Sequence, residues 1–251
     1  MFFQGLSLLL AIPLMCLPGV PGGFEPTDRI VGGKNIAITE VPWQVSLQYK
    51  GQHFCGGSIY SETMIITAAH CVKDKMTLPL EIRAGSSKYN NGGTLVKVEA
   101  IRYHEKFSRR LGNDVAVIKL KSPLTFSDTI KPISLAEKDP AVGSVALSTG
   151  WGATKRNSGP QDLQGVVIKI ERLFWCKFRY PFILPYIHSN DICAGTRGKS
   201  ASDGDSGGPL VVNRKLVGIA SRKGNFLCWS SGFYVSVAKF NKWIQKAIKS
   251  F

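Results

Sequence analysis

Short β-branched runs separated by turn residues constrain this chain more than any other feature. They are Gln44 to Gln48, Met64 to Thr67, Ala116 to Leu120, Val166 to Ile170, Leu216 to Ala220 and Phe233 to Val237. Clusters of Gly, Asn, Ser and Pro, such as Tyr89 to Gly93 and Asn157 to Pro160, divide them. Runs this short suit strands rather than helices, and many of them spaced by turn chemistry predict an all-β sandwich or barrel. Helical periodicity is clear only at the carboxyl end. There Phe240, Trp243, Ile244, Ala247 and Ile248 share one face, while Lys239, Lys242, Lys246 and Lys249 share another. Docking on its own domain explains the apolar face and leaves the lysines to solvent or polyanions.

A chain of 251 residues leaves one large β domain or two small ones open. Its 44% hydrophobic content, with 26 glycines and 13 prolines, describes a turn-rich folded protein and excludes disordered and fibrous classes. The apolar stretch from Leu6 to Leu17 is too short to span a bilayer and suits the core of a secretory signal, although no Lys or Arg precedes it. Residues 1–22 are therefore expected to be a signal peptide, and the protein to be secreted, extracellular and without a membrane span. Removing that segment removes Cys16 and leaves Cys55, Cys71, Cys176, Cys193 and Cys228. In an oxidising compartment five cysteines predict two disulfides with one unpaired thiol, or an intermolecular bond. No Cys-x-x-Cys pair occurs, so the spacing does not point to zinc.

Formal charge is +15, and +16 for residues 30–251, because the first 29 residues hold one Arg and two acids. Such a field favours anionic partners, whether sulfated glycans, nucleic acid or acidic substrates, and polyanion binding is one expectation from it. A solvated basic surface with no dedicated ligand accounts for it equally.

Three local motifs carry chemistry. Gly204-Asp205-Ser206-Gly207-Gly208-Pro209 presents one hydroxyl in a loop of small residues, making Ser206 the candidate nucleophile. Glycine two residues earlier lets the N–H groups of Gly204 and Ser206 turn toward one point where an oxyanion could sit. Thr67-Ala68-Ala69-His70-Cys71 puts an imidazole at the end of an apolar run. With an unperturbed pKa of ~6.5, His70 can take a serine proton near neutral pH and return it to a leaving amine. Gly112-Asn113-Asp114-Val115-Ala116 puts a carboxylate just before a strand, where Asp114 can hold the orientation and tautomer of that ring. His53, His104 and His188 are read as structural.

Taken together, the order His, Asp, Ser and its flanking residues resemble the chymotrypsin/trypsin family of serine proteases from Ile30 to the terminus. Ile30-Val31-Gly32-Gly33, Pro42-Trp43-Gln44-Val45, Cys55-Gly56-Gly57-Ser58 and Gly150-Trp151-Gly152 agree as well. The resemblance implies two packed six-stranded antiparallel β-barrels with the active site between them, followed by the carboxyl-terminal helix. It also implies a secreted serine endopeptidase acting through an acyl-enzyme, with protein or peptide substrates, no cofactor, no metal and a monomeric state. Arg29-Ile30 looks like the family's activation site, so residues 23–29 become a propeptide and 30–251 the peptidase domain. The amino group freed on Ile30 would pair with Asp205. By motif position, Cys55–Cys71 and Cys176–Cys193 match two family bridges. Ser202 stands where a third half-cystine is usual, which leaves Cys228 as the orphan.

Specificity departs from the trypsin pattern. Ser200 stands where trypsin-like members carry the pocket-floor aspartate, so a basic substrate side chain would find no partner. Ala201, Ser221, Lys223 and Gly232 are the other expected pocket residues, with Asp203 at the rim. Arg222 and Lys223 follow Ser221 where Trp and Gly are common in the family. If Lys223 takes the wall glycine's place, it narrows the pocket and its ammonium favours an acidic residue; if Gly224 does, an aromatic or large aliphatic residue fits. An enzyme that does not cut after Arg needs an upstream trypsin-like activator for Arg29. The competing reading is a catalytically silent homologue that binds polyanions or proteins through its basic surface.

Overall fold

The computed structural model describes residues 33–153, 160–180, 185–197, 199–226 and 229–251. The proposed signal and propeptide, the Arg29–Ile30 pair, Cys16 and Cys228 lie outside them. Each of the six β-branched runs falls in a strand, except that Val237 opens a helix. In chain order the strands are β1 (Lys34–Asn35), β2 (Gln44–Tyr49), β3 (Gln52–Ile59), β4 (Met64–Thr67), β5 (Leu80–Ala84), β6 (Thr94–Tyr103) and β7 (Ala116–Leu120). They continue as β8 (Ser134–Leu135), β9 (Val145–Gly150), β10 (Gln164–Glu171), β11 (Asp191–Arg197), β12 (Pro209–Val212), β13 (Lys215–Phe226) and β14 (Trp229–Ser236). Three α-helices accompany them among the described residues: α1 (Ala69–Val72), α2 (Leu173–Arg179) and α3 (Val237–Lys249).

Strands β2-β3-β4-β7-β6-β5 close into one antiparallel barrel, since β5 pairs back onto β2. A second closes along β9-β10-β11-β14-β13-β12, because β9 pairs with both β10 and β12. Closure leaves no long unpaired edge in either barrel. The short β1 adds to β10 and β8 runs parallel to β13. Tight hairpins support the registers. Lys50 and Gly51 between β2 and β3, and Asn213 and Arg214 between β12 and β13, all have positive φ, as two-residue turns matched to strand twist require.

Leu47, Ile59, Ile65, Ile66, Ile82 and Ile118 are fully buried in the first barrel, and their cluster continues into Val211, Leu216, Ile219 and Val235 of the second. The barrels thus meet through one continuous apolar cluster, while the second keeps a separate one around Ala146, Val166, Ile168, Ile192, Leu210 and Tyr234. Helix α3 covers that core with Val237, Phe240, Ile244 and Ala247, while its lysines face outward, as the periodicity predicts. Ser236 caps it by accepting from Lys239 N at 3.1 Å. Both disulfides expected from the resemblance, Cys55–Cys71 and Cys176–Cys193, are formed. No helix among the described residues is long and apolar enough to cross a membrane.

Candidate active site

Register brings the base and its carboxylate together. Thr67 of β4 pairs with Ala116 of β7, so His70, three residues beyond Thr67, and Asp114, two before Ala116, emerge at the same barrel end. His70 lies on α1, which the Cys55–Cys71 bridge pins to β3. Asp114 is buried and grips His70 twice. Its Oδ1 accepts the backbone N–H at 2.8 Å and its Oδ2 meets Nδ1 at 2.7 Å. Ser221 Oγ donates to the same Oδ2 at 2.5 Å. Burial pushes the Asp114 pKa up, but the bond and charge of His70, then Ser221, outweigh it and hold it below the usual carboxylate range. An ionised Asp114 requires the proton on Nδ1, which leaves Nε2 as the basic nitrogen. Near Nε2 lies Cys71 Sγ at 3.7 Å, a disulfide sulfur with no proton to give.

The loop of Ser206 is wedged between both barrels. Gly56 N donates to Ser206 O at 2.7 Å, Gly207 N to Ala220 O at 2.7 Å, and Ala220 N to Gly208 O at 2.9 Å. Gly207 has φ +76°, and a Cβ there would fall 2.2 Å from Thr67 Oγ1, so only glycine lets the loop lie against the strand end leading to His70. Ser206 and Ser221 line a cavity of about 100 Å³, and Ser221 also borders an adjoining cleft lined by His70 and Asp114. The N–H groups of Gly204 and Ser206 donate to no group among the described residues.

Beside Ser206, Asp205 is fully enclosed. It accepts from Ser202 N at 2.7 Å and Gly152 N at 2.9 Å, and burial pushes its pKa up to about 6 against the pull of those bonds. No cation pairs with it among the described residues. A Cβ on Gly152 would sit 2.5 Å from this carboxyl group, so glycine is what admits it.

One residue read as structural does more. His53 Nε2 lies 3.0 Å from the Gly204 carbonyl, which only accepts, so Nε2 carries the proton. Its Nδ1 accepts from Ser46 Oγ at 2.8 Å, and Ser46 in turn accepts from Gln48 Nε2 at 3.1 Å. Burial lowers the His53 pKa to about 4 and keeps the ring neutral, the Gly204 bond opposing only in part. His53 thus orients the peptide next to the Gly204 N–H. No local motif signals this, because 151 residues separate the partners. His104 is structural as expected, stacked on Trp243 and edge-on to Phe240.

Of the expected pocket residues, Ala201, Ser221 and Lys223 line the cavity of Ser206, whereas Gly232 and Ser200, which is buried and donates to Ala201 O at 3.1 Å, do not. Lys223, not Gly224, lies opposite Gly232. Its ammonium is paired with Asp203 at the rim, and Arg222 is turned to Asp191 Oδ2 at 2.6 Å.

Residues 30–244 match the family model described as Trypsin. The chain belongs to the trypsin family and is a serine endopeptidase. It is 44% identical over 245 residues to trypsin delta of Drosophila erecta, covering 94% of this chain and 96% of that one. Trypsin alpha-4 of Lucilia cuprina is 42% identical over 248 residues, 97% of each chain. Trypsin alpha of Drosophila melanogaster is 41% identical over 251 residues, 97% of this chain and 98% of that one.

Proposed function

We propose that this peptidase is secreted as a precursor with a signal at 1–22 and a propeptide at 23–29, and that cleavage after Arg29 makes it an active endopeptidase. His70, Asp114 and Ser206 are its catalytic residues. The observation that carries the chemistry is the double grip of Asp114 on His70, which leaves Nε2 as the basic nitrogen. Ser206 Oγ attacks the substrate carbonyl carbon while its proton passes to His70 Nε2. The oxyanion is held by the N–H groups of Gly204 and Ser206, and Asp114 stabilises the imidazolium. Collapse expels the amine, which takes the proton from His70, and leaves an acyl-enzyme. Water, deprotonated by His70, then releases the acid and restores Ser206.

Activation rests on Asp205. A buried carboxylate held only by backbone N–H groups calls for a cation, and the amino group freed on Ile30 supplies one. Pairing orders the loop that presents Gly204 and Ser206. Ser200 offers a substrate cation no counter-charge, and Asp203 occupies the Lys223 ammonium, so an uncharged, apolar side chain is the favoured pocket occupant. The enzyme therefore does not process Arg29 efficiently and depends on an upstream trypsin-like protease.

Limited digestion of the precursor with a trypsin-like protease, followed by amino-terminal sequencing and a serine-directed phosphonate probe, tests this. Expected are a new terminus at Ile30 and labelling only after cleavage, absent in Ser206→Ala. Confirmed cleavage at Arg29 with no labelling would favour a silent binding homologue.

A further inference from the structure

The cleft beside His70 is larger than the cavity of Ser206, about 560 Å³, and its lining has a charge pattern that the catalytic chemistry does not use. Phe107 and Tyr186 supply apolar faces, and Arg109, Arg110, Arg222 and Lys223 supply cations. Two of the four are neutralised locally. Arg222 binds the buried Asp191, which also accepts from His188 N at 2.8 Å, and Lys223 binds Asp203. Arg109 and Arg110 are exposed and have no carboxylate within ion-pair distance among the described residues. Of the two acids within five residues of them, Glu105 accepts from Trp243 Nε1 at 2.9 Å and Asp114, which also lines the cleft, is engaged by His70 and Ser221. Lys73 adds positive charge behind this wall, its ammonium 5.6 Å from the Phe107 ring centroid.

The loop that carries the two arginines is built. Ser108 and Gly112 exchange backbone hydrogen bonds, Leu111 N donates to Ser108 Oγ at 2.9 Å, and Asn113 Nδ2 ties back to Lys106 O at 3.1 Å. Guanidinium groups on a closed turn, facing a cleft with aromatic walls, suit a carboxylate on a partly desolvated chain. We propose that this cleft selects substrates bearing an acidic side chain within a few residues of the scissile bond, with Arg109 and Arg110 as the residues that bind it. The inference deepens the endopeptidase reading above and rests on it. The cleft adjoins the cavity of Ser206 through Ser221, Arg222 and Lys223, but Arg109 and Arg110 line only the cleft.

The test uses activated enzyme and peptide sets in which each of three positions on either side of the cleaved bond is Glu, Gln or Lys. Two exposed charge pairs correspond to a preference of roughly three- to tenfold in kcat/KM for Glu over Gln at the best position. That ratio should shrink as salt rises, since the screening length falls from about 10 Å at 0.1 M to about 3 Å at 1 M. In Arg109→Gln/Arg110→Gln it should approach one, and in Arg109→Lys/Arg110→Lys it should largely persist. Because each ratio is taken within one enzyme, a general loss of activity does not obscure it. Equal rates for Glu and Gln peptides at low salt, or an unchanged ratio in the double Gln variant, would overturn the proposal. So would equal rates combined with arginine-dependent retention on a sulfated matrix, which would assign the pair to polyanion binding. An enzyme that cleaves neither peptide counts against the catalytic reading. The Glu-to-Gln affinity ratio of Ser206→Ala, read by fluorescence anisotropy, then decides the arginine assignment on its own.

Discussion

Asp205 sets a quantitative expectation for the precursor. Its carboxyl group has a pKa of about 6 in the fold, against ~3.9 for an unfolded chain. Between those values the folded state binds more protons than the unfolded state, so this group's contribution to stability falls as pH rises. A gap of about two pH units corresponds to about 3 kcal/mol, most of it lost between pH 4 and pH 6. The opposite trend comes from His53. Its folded pKa of about 4, below ~6.5 unfolded, means that stability is present above pH 6.5 and is lost as pH falls toward 4. The two slopes oppose each other, and the lowered pKa values of Asp114, His104 and His188 add to the second, so only a difference measurement isolates Asp205. Uncleavable precursor (Arg29→Gln with Ser206→Ala) and the same protein carrying Asp205→Asn should be unfolded in urea at pH 4 to 7. The stability of the first minus that of the second should fall by about 2 to 3 kcal/mol across the range, equivalent to about 4 to 12 °C in Tm for a domain of this size. After cleavage at Arg29 the slope should reverse, because an ammonium beside Asp205 favours its charged form. A difference that stays flat with pH in the precursor would refute the claim that this carboxylate is buried without a cation.

Three further outcomes follow from the same geometry. Asp114→Asn should fold but lose about 10⁴-fold in kcat, since a neutral amide no longer holds the proton on His70 Nδ1; circular dichroism and active-site titration separate folding from chemistry. Ser221→Ala removes the 2.5 Å bond to Asp114 Oδ2 and should lower kcat/KM by roughly tenfold, as expected for a hydrogen bond to a charged group. Replacing both Cys176 and Cys193 by Ser opens a bridge with a sequence separation of 17 residues and should cost about 3 kcal/mol, measured by reversible denaturation.

The candidate catalytic types stand out because each sits in its own local chemistry. Small residues surround Ser206, an apolar run ends before His70, and a turn precedes the strand after Asp114. Strand runs were legible where β-branched residues cluster. They were not where the alternation is dilute, as in β3, β6 and β11, whose membership depends on neighbouring strands. Helix α2 also escaped notice, since a seven-residue segment carries too few turns for its period to stand out.

The sequence by itself determined which groups can do the chemistry and where turns must fall, because those preferences are encoded within a few residues. Only the tertiary structure decided which distant groups meet. His53 reaches Gly204, Arg222 is drawn to Asp191, Asp203 takes the ammonium of Lys223, and Arg109 and Arg110 are left facing the cleft. The wall beside Ser221 turned on one irregularity, the register shift between Ala220 and Arg222 that sets Lys223 rather than Arg222 opposite Gly232. A slip of one residue along a strand exchanges its two faces, and that choice is made by barrel closure rather than by the residues at the slip.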